Sequence, residues 1–399
     1  MNRTRNAVIG GSLVALLAAL GIGQQLLTQA AQAQAKGAVQ APRFEVDPMW
    51  PKPVPNHWVF GNIIGVGVDK NDHVYIIHRG AGSLEPKEIY AAENPPASEC
   101  CLPAPPVLEF DPEGNLVKAW GGPGAGYEWP ESNHGITPDS KGNLFIGGNG
   151  ANDGHILKFT RDGKFVKQFG FSYASAGSND LWAFNKVAKV SLDEAANEAY
   201  VSDGYGNHRV AVVDMDTGKI KRYWGAYGNK PDDTNLGRYN PAAPLAQQFR
   251  TPVHCAEPTT DGMVYVCDRP NDRIQVFTKE GKFVKEVQVA KNTLGDGSVW
   301  DIAFSRDPQQ KYMYLADGAN EKIHVFDRAS LTELTSFGDG GRQPGQFYAV
   351  HSIATDSKGN VYTTETYRGQ RLQKFVYKGL APVTKQNQGT VWPTRTSTH

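Results

Sequence analysis

The sequence carries no excess of charge of either sign: 41 basic side chains balance 41 acidic ones. That balance removes the electrostatic reason to expect a nucleic acid partner. Cysteine is scarce, with four in 399 residues, while hydrophobic residues make up 40% and supply ample material for a large core. Long apolar runs are absent beyond residue 35, so no membrane contact is expected past the N-terminal segment.

The first 35 residues differ from the rest. "MNRTR" is basic, "AVIGGSLVALLAALGIG" apolar, and "TQAAQAQA" rich in small residues. This order reads as a secretory signal peptide over 1–35, cleaved after Ala33 or Ala35, and the folded part is expected to be secreted or periplasmic. An uncleaved N-terminal anchor is the competing reading.

Glycine and proline are plentiful, at 43 and 25 residues, and mark many turns between short strands. Six segments repeat one phrase, an apolar strand, a polar turn and a second strand. They begin at Ile64, His134, Ala188, His254, Trp300 and His351. Most continue into a third and a fourth strand, as in "DRIQVFTKEGKFVKEVQV", with the two-residue alternation of half-buried antiparallel strands. Four short strands per repeat predict an all-β fold, a six-bladed β-propeller over 61–380. The segment 36–60, which contains "FEVDP", is expected to complete the last blade, and 381–399 to form a polar tail. Residues 80–106 interrupt the first blade, a length that suggests a rim over the channel.

Cys255 and Cys267 flank the "TTDG" turn symmetrically and are expected to face each other across two strands, where a disulfide is open to them. The pairing of Cys100 and Cys101 is not legible.

The innermost strand of each blade lines the channel of a propeller, so its opening residues form a ring. That ring reads Ile64, His134, Ala188, His254, Trp300, His351, with histidine in alternate blades. Alternate positions of a six-fold ring lie about 120° apart, so three imidazoles can converge. Three histidines with an open position match a catalytic zinc site; a polar channel without metal is the plainer reading. Tyr205 in "SDGYGNHRV", Arg269 in "CDRPNDRIQVF" and Arg79 in "IHRG" stand where second strands turn towards third ones. The Asp, Gly and Asn of those phrases are what such turns need; the phenol and the guanidiniums are not. They suit proton transfer and carboxylate binding.

The phrase "DG-x-x-N-x-R" resembles the NHL-repeat propellers over about residues 61–377, and within them the peptidyl-α-hydroxyglycine α-amidating lyases. The resemblance implies zinc on His134, His254 and His351, Tyr205 as the catalytic base, and Arg79 and Arg269 on the substrate carboxylate. It also implies a structural calcium on backbone oxygens of Val66 and Ile136, completed by an acid where this chain has Ser352. The family's cysteine beside the tyrosine is Gly206, so the bracing disulfide is missing. The expected activity is zinc-dependent cleavage of a C–N bond in a small-molecule or peptide substrate bearing a carboxylate, by a monomer. The rival is a non-catalytic propeller that binds a peptide or protein on its rim.

Overall fold

The computed structural model describes residues 38–173 and 175–383. The expected signal peptide over 1–35 lies outside the described residues, as does the expected tail 381–399 beyond residue 383, while residues 381–383 continue the closing strand instead of starting a tail. No helix among the described residues is long and apolar enough to cross a membrane.

Among the described residues the architecture is all-β: six four-stranded antiparallel sheets form the blades, and the helical content is confined to short 3-10 turns. The innermost strands are Ile63–Val68, Asn133–Pro138, Val187–Asp193, Val253–Pro258, Asp301–Phe304 and Val350–Thr355 in blades 1 to 6. Blades 1 to 5 run outward in chain order. Blade 6 takes its outermost strand from the start of the chain, where Gln40–Asp47 pairs antiparallel with Leu372–Pro382. The pairing extends to Val383, whose N–H donates to the Val39 carbonyl at 2.8 Å.

No blade has a core of its own. Each of six buried clusters is shared by two consecutive blades: Cys255, Ile274 and Val276 pack on Ile302, Met313 and Leu315, for instance, and Ile64 and Tyr75 on Ile136 and Leu157. A lone blade would expose both apolar faces, so the ring is the folding unit. The closing strand contributes Phe44, 2% exposed, with its ring 5.4 Å from Tyr314, 5.2 Å from Phe337 and 5.9 Å from Tyr377.

The recurring Asp-Asn-Arg phrase is a corner brace. In blade 3 the Asp203 carboxylate accepts from Asn207 Nδ2 and Arg209 Nε, each at 2.8 Å, and from the Asn185 N–H at 2.7 Å. In blade 4 Asp268 accepts from Asn271 at 2.8 Å, Arg273 Nε at 2.7 Å and the Arg250 N–H at 3.0 Å. Buried charges persist only when paired and hydrogen-bonded in this way.

The insertion after Arg79 winds through three short 3-10 turns. Its strand Leu102–Pro103 pairs in parallel with Trp58–Val59, an element the repeat pattern does not announce. Glu85 and Ser83 reach the tip of blade 6 at Arg368 and Gln370. Cys255 and Cys267 stand directly opposite in blade 4 and are bonded; Cys100 and Cys101 are bonded to each other.

Phe44→Ala should cost about 3–5 kcal/mol, as expected for a buried phenylalanine, whereas Val39→Ala, at a position 58% exposed, should have little effect. Scanning calorimetry checks this; equal melting temperatures would mean that the N-terminal strand does not hold the ring closed.

Candidate active site

At the channel end of the innermost strands the pairing slips by one residue in five blades. The slips fall between Ile63 and Gly65, His134 and Ile136, Val187 and Lys189, Val253 and Cys255, and Val350 and Ser352. A bulge bends its strand and re-aims a side chain that strict alternation would direct elsewhere. Here it accompanies the convergence of three imidazoles. The rings of His134, His254 and His351 lie 4.8–5.2 Å apart, and their ligand nitrogens all fall within 4.8 Å of one another.

Each ring is oriented from behind by the next blade. His134 Nδ1 donates to the Ala188 carbonyl at 2.6 Å, and His254 Nδ1 to the Trp300 carbonyl at 2.5 Å. His351 Nδ1 donates to Ser352 Oγ at 3.1 Å, which donates in turn to the Ile64 carbonyl at 3.2 Å. A carbonyl can only accept, so every Nδ1 carries the proton and every Nε2 a lone pair. The three ring positions without histidine, Ile64, Ala188 and Trp300, thus supply the carbonyls that orient the three with it. Burial keeps the imidazoles neutral. It pushes His134 down to about 3, assisted by Arg79, and holds His254 and His351 well below the usual histidine range.

Tyr205 joins this cluster. Its hydroxyl lies 3.1 Å from Nε2 of His134 and of His254, and 3.3 Å from Arg269 Nη1. One phenolic proton cannot serve three converging lone pairs, so this donor set fits a metal ion such as zinc: three neutral, buried imidazoles, each held by a second partner. The tyrosine loop needs no disulfide. Tyr205 and Gly206 donate their N–H groups to Lys186 and Asn185 carbonyls at 3.1 and 3.0 Å, and a Cβ on Gly206 would come within 2.2 Å of the Asn185 side chain.

The two arginines approach from the rim. Arg269 is 7% exposed and lies over the Trp300 ring at 4.5 Å and the Tyr205 ring at 5.7 Å. Its Nη2 is 3.5 Å from Asp296, whose other oxygen accepts from the Tyr367 hydroxyl at 2.8 Å. Burial, then that hydrogen bond, pushes Tyr367 up to about 12. Arg79 Nη2 donates to Asn149 Oδ1 at 2.9 Å, and burial works against its charge. Among the described residues the Nε of each arginine is buried without a hydrogen-bond partner. Two guanidiniums with unused donors beside a ring of lone pairs can bind an anion next to a metal. A cavity of about 590 Å³ opens beside Arg269, lined in part by His208, Arg238, Tyr239 and Leu294.

The six residues expected to serve zinc, proton transfer and carboxylate binding therefore meet around one end of the channel, while Val66 and Ile136, expected to hold calcium, line the cavity beneath it. Several others were not singled out. His78, pushed down to about 4 by burial, accepts from the N–H groups of Gly61 and Gly80 at 3.1 and 3.0 Å and donates to Pro105, which fixes the Arg79 corner. Its place beside Arg79 in "IHRG" was the available signal. Asn149, Asp296 and Tyr367 offered none, since each arrives from a different blade or loop.

No family model matches the chain. Among curated proteins it is similar to peptidyl-glycine alpha-amidating monooxygenase B of Xenopus laevis, at 26% identity over 237 residues, covering 57% of this chain and 24% of that protein. The corresponding Rattus norvegicus monooxygenase is 25% identical over 237 residues, covering 58% of this chain and 22% of the relative. The chain thus spans less than a quarter of the length of these relatives in the matched region. NHL repeat-containing protein 3 of Mus musculus is 23% identical over 366 residues and covers 85% of both. A solved structure of unknown function from Bacteroides thetaiotaomicron shares the fold, with a TM-score of 0.50, 14% identity and coverage of 85% of this chain and 77% of that one. The chain is a six-bladed propeller distantly related to the amidating monooxygenases and to an NHL-repeat protein.

The neutral imidazoles predict a pH dependence. Unfolded histidines take up protons near pH 6.5, whereas folded His134 resists until about pH 3. The unfolded chain binds more protons in that window, so stability is lost as pH falls from about 6.5 towards 3. The melting temperature of metal-free protein should drop across that range, and less steeply in His134→Gln; an identical slope in the variant would contradict the neutral assignment.

Proposed function

We propose that the chain is an exported, zinc-dependent lyase that cleaves the C–N bond of a peptidyl- or N-acyl-α-hydroxyglycine to an amide and glyoxylate. The observation that carries this reading is the position of the Tyr205 hydroxyl, 3.1 Å from two ring histidines and 3.3 Å from Arg269. It puts a proton-transfer group, a metal ligand set and an anion-binding guanidinium within reach of one small substrate. The similarity to amidating monooxygenases supports the same substrate class.

Bound zinc would serve as a Lewis acid towards the substrate hydroxyl oxygen, held by His134, His254 and His351. Arg79 and Arg269 grip the carboxylate with their unused donors, and the substrate competes with Asp296 for Arg269. Tyr205 is the group placed to relay the hydroxyl proton. The O–H electron pair becomes the second C–O bond of the aldehyde, and the C–N pair leaves on nitrogen. The proton relayed by Tyr205 ends on that nitrogen, which completes the amide.

The rival reading, a non-catalytic propeller with a peptide or protein on its rim, draws on the wider coverage of the NHL-repeat relative. It leaves the buried histidine ring without a purpose. Metal analysis separates the two: about one zinc per chain, lost in His134→Ala/His254→Ala, favours the enzyme, and a folded protein without metal favours the scaffold.

Purified protein should release glyoxylate from α-hydroxyhippurate, lose the activity to a chelator and regain it with zinc. Tyr205→Phe should lower kcat by at least about 100-fold, the usual scale for a lost proton-transfer group. Arg269→Ala should raise KM as well. Unchanged turnover in Tyr205→Phe would refute the mechanism.

A further inference from the structure

Beneath the histidine ring the channel holds a second group of charges that the lyase reading does not use. Lys189 Nζ lies 2.7 Å from Asp301 Oδ1 and 2.9 Å from Glu257 Oε1. Its side chain is 14% exposed and that of Asp301 1%. The other Asp301 oxygen accepts from the Ile353 N–H at 3.1 Å, and Glu257 Oε1 also accepts from Ser191 at 2.7 Å. Lys189 belongs to blade 3, Glu257 to blade 4, Asp301 to blade 5 and Ile353 to blade 6. One ammonium and two carboxylates therefore tie four consecutive blades together.

This is the level at which the resemblance to the amidating lyases implies calcium, on Val66 and Ile136 carbonyls and an acid at position 352. The residues present do not fit that ion. Ser352 is neutral, and its hydroxyl is engaged between His351 and the Ile64 carbonyl. Val66, Ile136 and Lys189 line both a small cavity of about 10 Å³ against Asp301 and Ser352 and a wider one of about 260 Å³ that continues past Glu257, so the chemistry of the lining, not room, decides what it holds. A calcium ion seeks six to eight oxygens. Here it would face an ammonium, and the nearby carboxylates already answer to that ammonium and to peptide or hydroxyl donors.

We propose that the Lys189 ammonium is the second cation of the channel, built into the chain in place of calcium, and that the protein has no calcium requirement. Lys189 and Asp301 directly follow Ala188 and Trp300, whose carbonyls orient His134 and His254. They act as positioning residues: the charges beneath the ring hold the backbone that aims the imidazoles. This inference is independent of the lyase reading, because its test needs no substrate.

The experiment is calorimetry of the full chain in calcium-free buffer and with added calcium chloride, beside metal analysis of the purified protein. An ion that binds only the native state raises the melting temperature. Wild-type protein should show no shift and carry no calcium. Lys189→Met, which leaves buried Asp301 and half-buried Glu257 without their cation, should melt about 5–10 °C lower. Lys189→Ala/Ser352→Asp, with the ammonium removed and the acid supplied, should gain a calcium-dependent rise. Stoichiometric calcium in the wild-type protein, or a wild-type melting temperature that rises with calcium, would overturn the proposal. So would a Lys189→Met protein that melts with the wild type. If Lys189→Met fails to fold, the wild-type comparison still decides.

Discussion

The candidate site depends on hydrogen bonds that cross from one blade to the next behind the histidines. His134 and His254 reach the carbonyls of Ala188 and Trp300, and His351 reaches Ile64 through Ser352. Without those acceptors an imidazole is free to turn and to exchange tautomers, and three lone pairs would not point at one place. The alternation around the ring follows from this. Blades 2, 4 and 6 provide the rings, and blades 3, 5 and 1 provide the backbone that aims them. Such bonds hold only while neighbouring blades keep their spacing. The shared cores between blades, and Phe44 on the closing strand, are therefore part of the site's support as well as of the fold.

Charge is distributed along the channel to match. The histidine level is neutral because burial disfavours imidazolium. The rim above it carries Arg79 and Arg269 with unused donors, and the level below carries Lys189 between two carboxylates. Trp300 links the levels: its carbonyl orients His254 while its ring lies under the Arg269 guanidinium at 4.5 Å. A displacement of that one residue would disturb both the histidine ring and the Arg269 guanidinium.

Much of the architecture was legible because propeller strands carry a local signature. The two-residue alternation, the polar turns and the return of "FEVDP" all report on neighbours close in sequence or on a free sheet edge. The histidine ring was legible because the turn aspartates supplied a register. Gly206 shows the limit of such reading. Sequence alone presented it as a missing cysteine, whereas its value is the room it leaves for Asn185. Ser352 was likewise a missing acid until its hydroxyl was found to complete the support of His351. Lys189 resembled any polar residue of a half-buried strand, since nothing near it in the chain announces Asp301, 112 residues away.

By itself, then, the sequence determined the blades, the ring positions and the six residues that gather at one end of the channel. Tertiary structure alone decided which nitrogen of each histidine faces the axis, where Asp296 and Tyr367 meet Arg269, and which cation lies beneath the ring. The reason is physical. The deciding contacts for His134 and His254 span 54 and 46 residues and end on backbone carbonyls. Every residue has such a carbonyl, so only the packing of one blade on the next selects the one that acts.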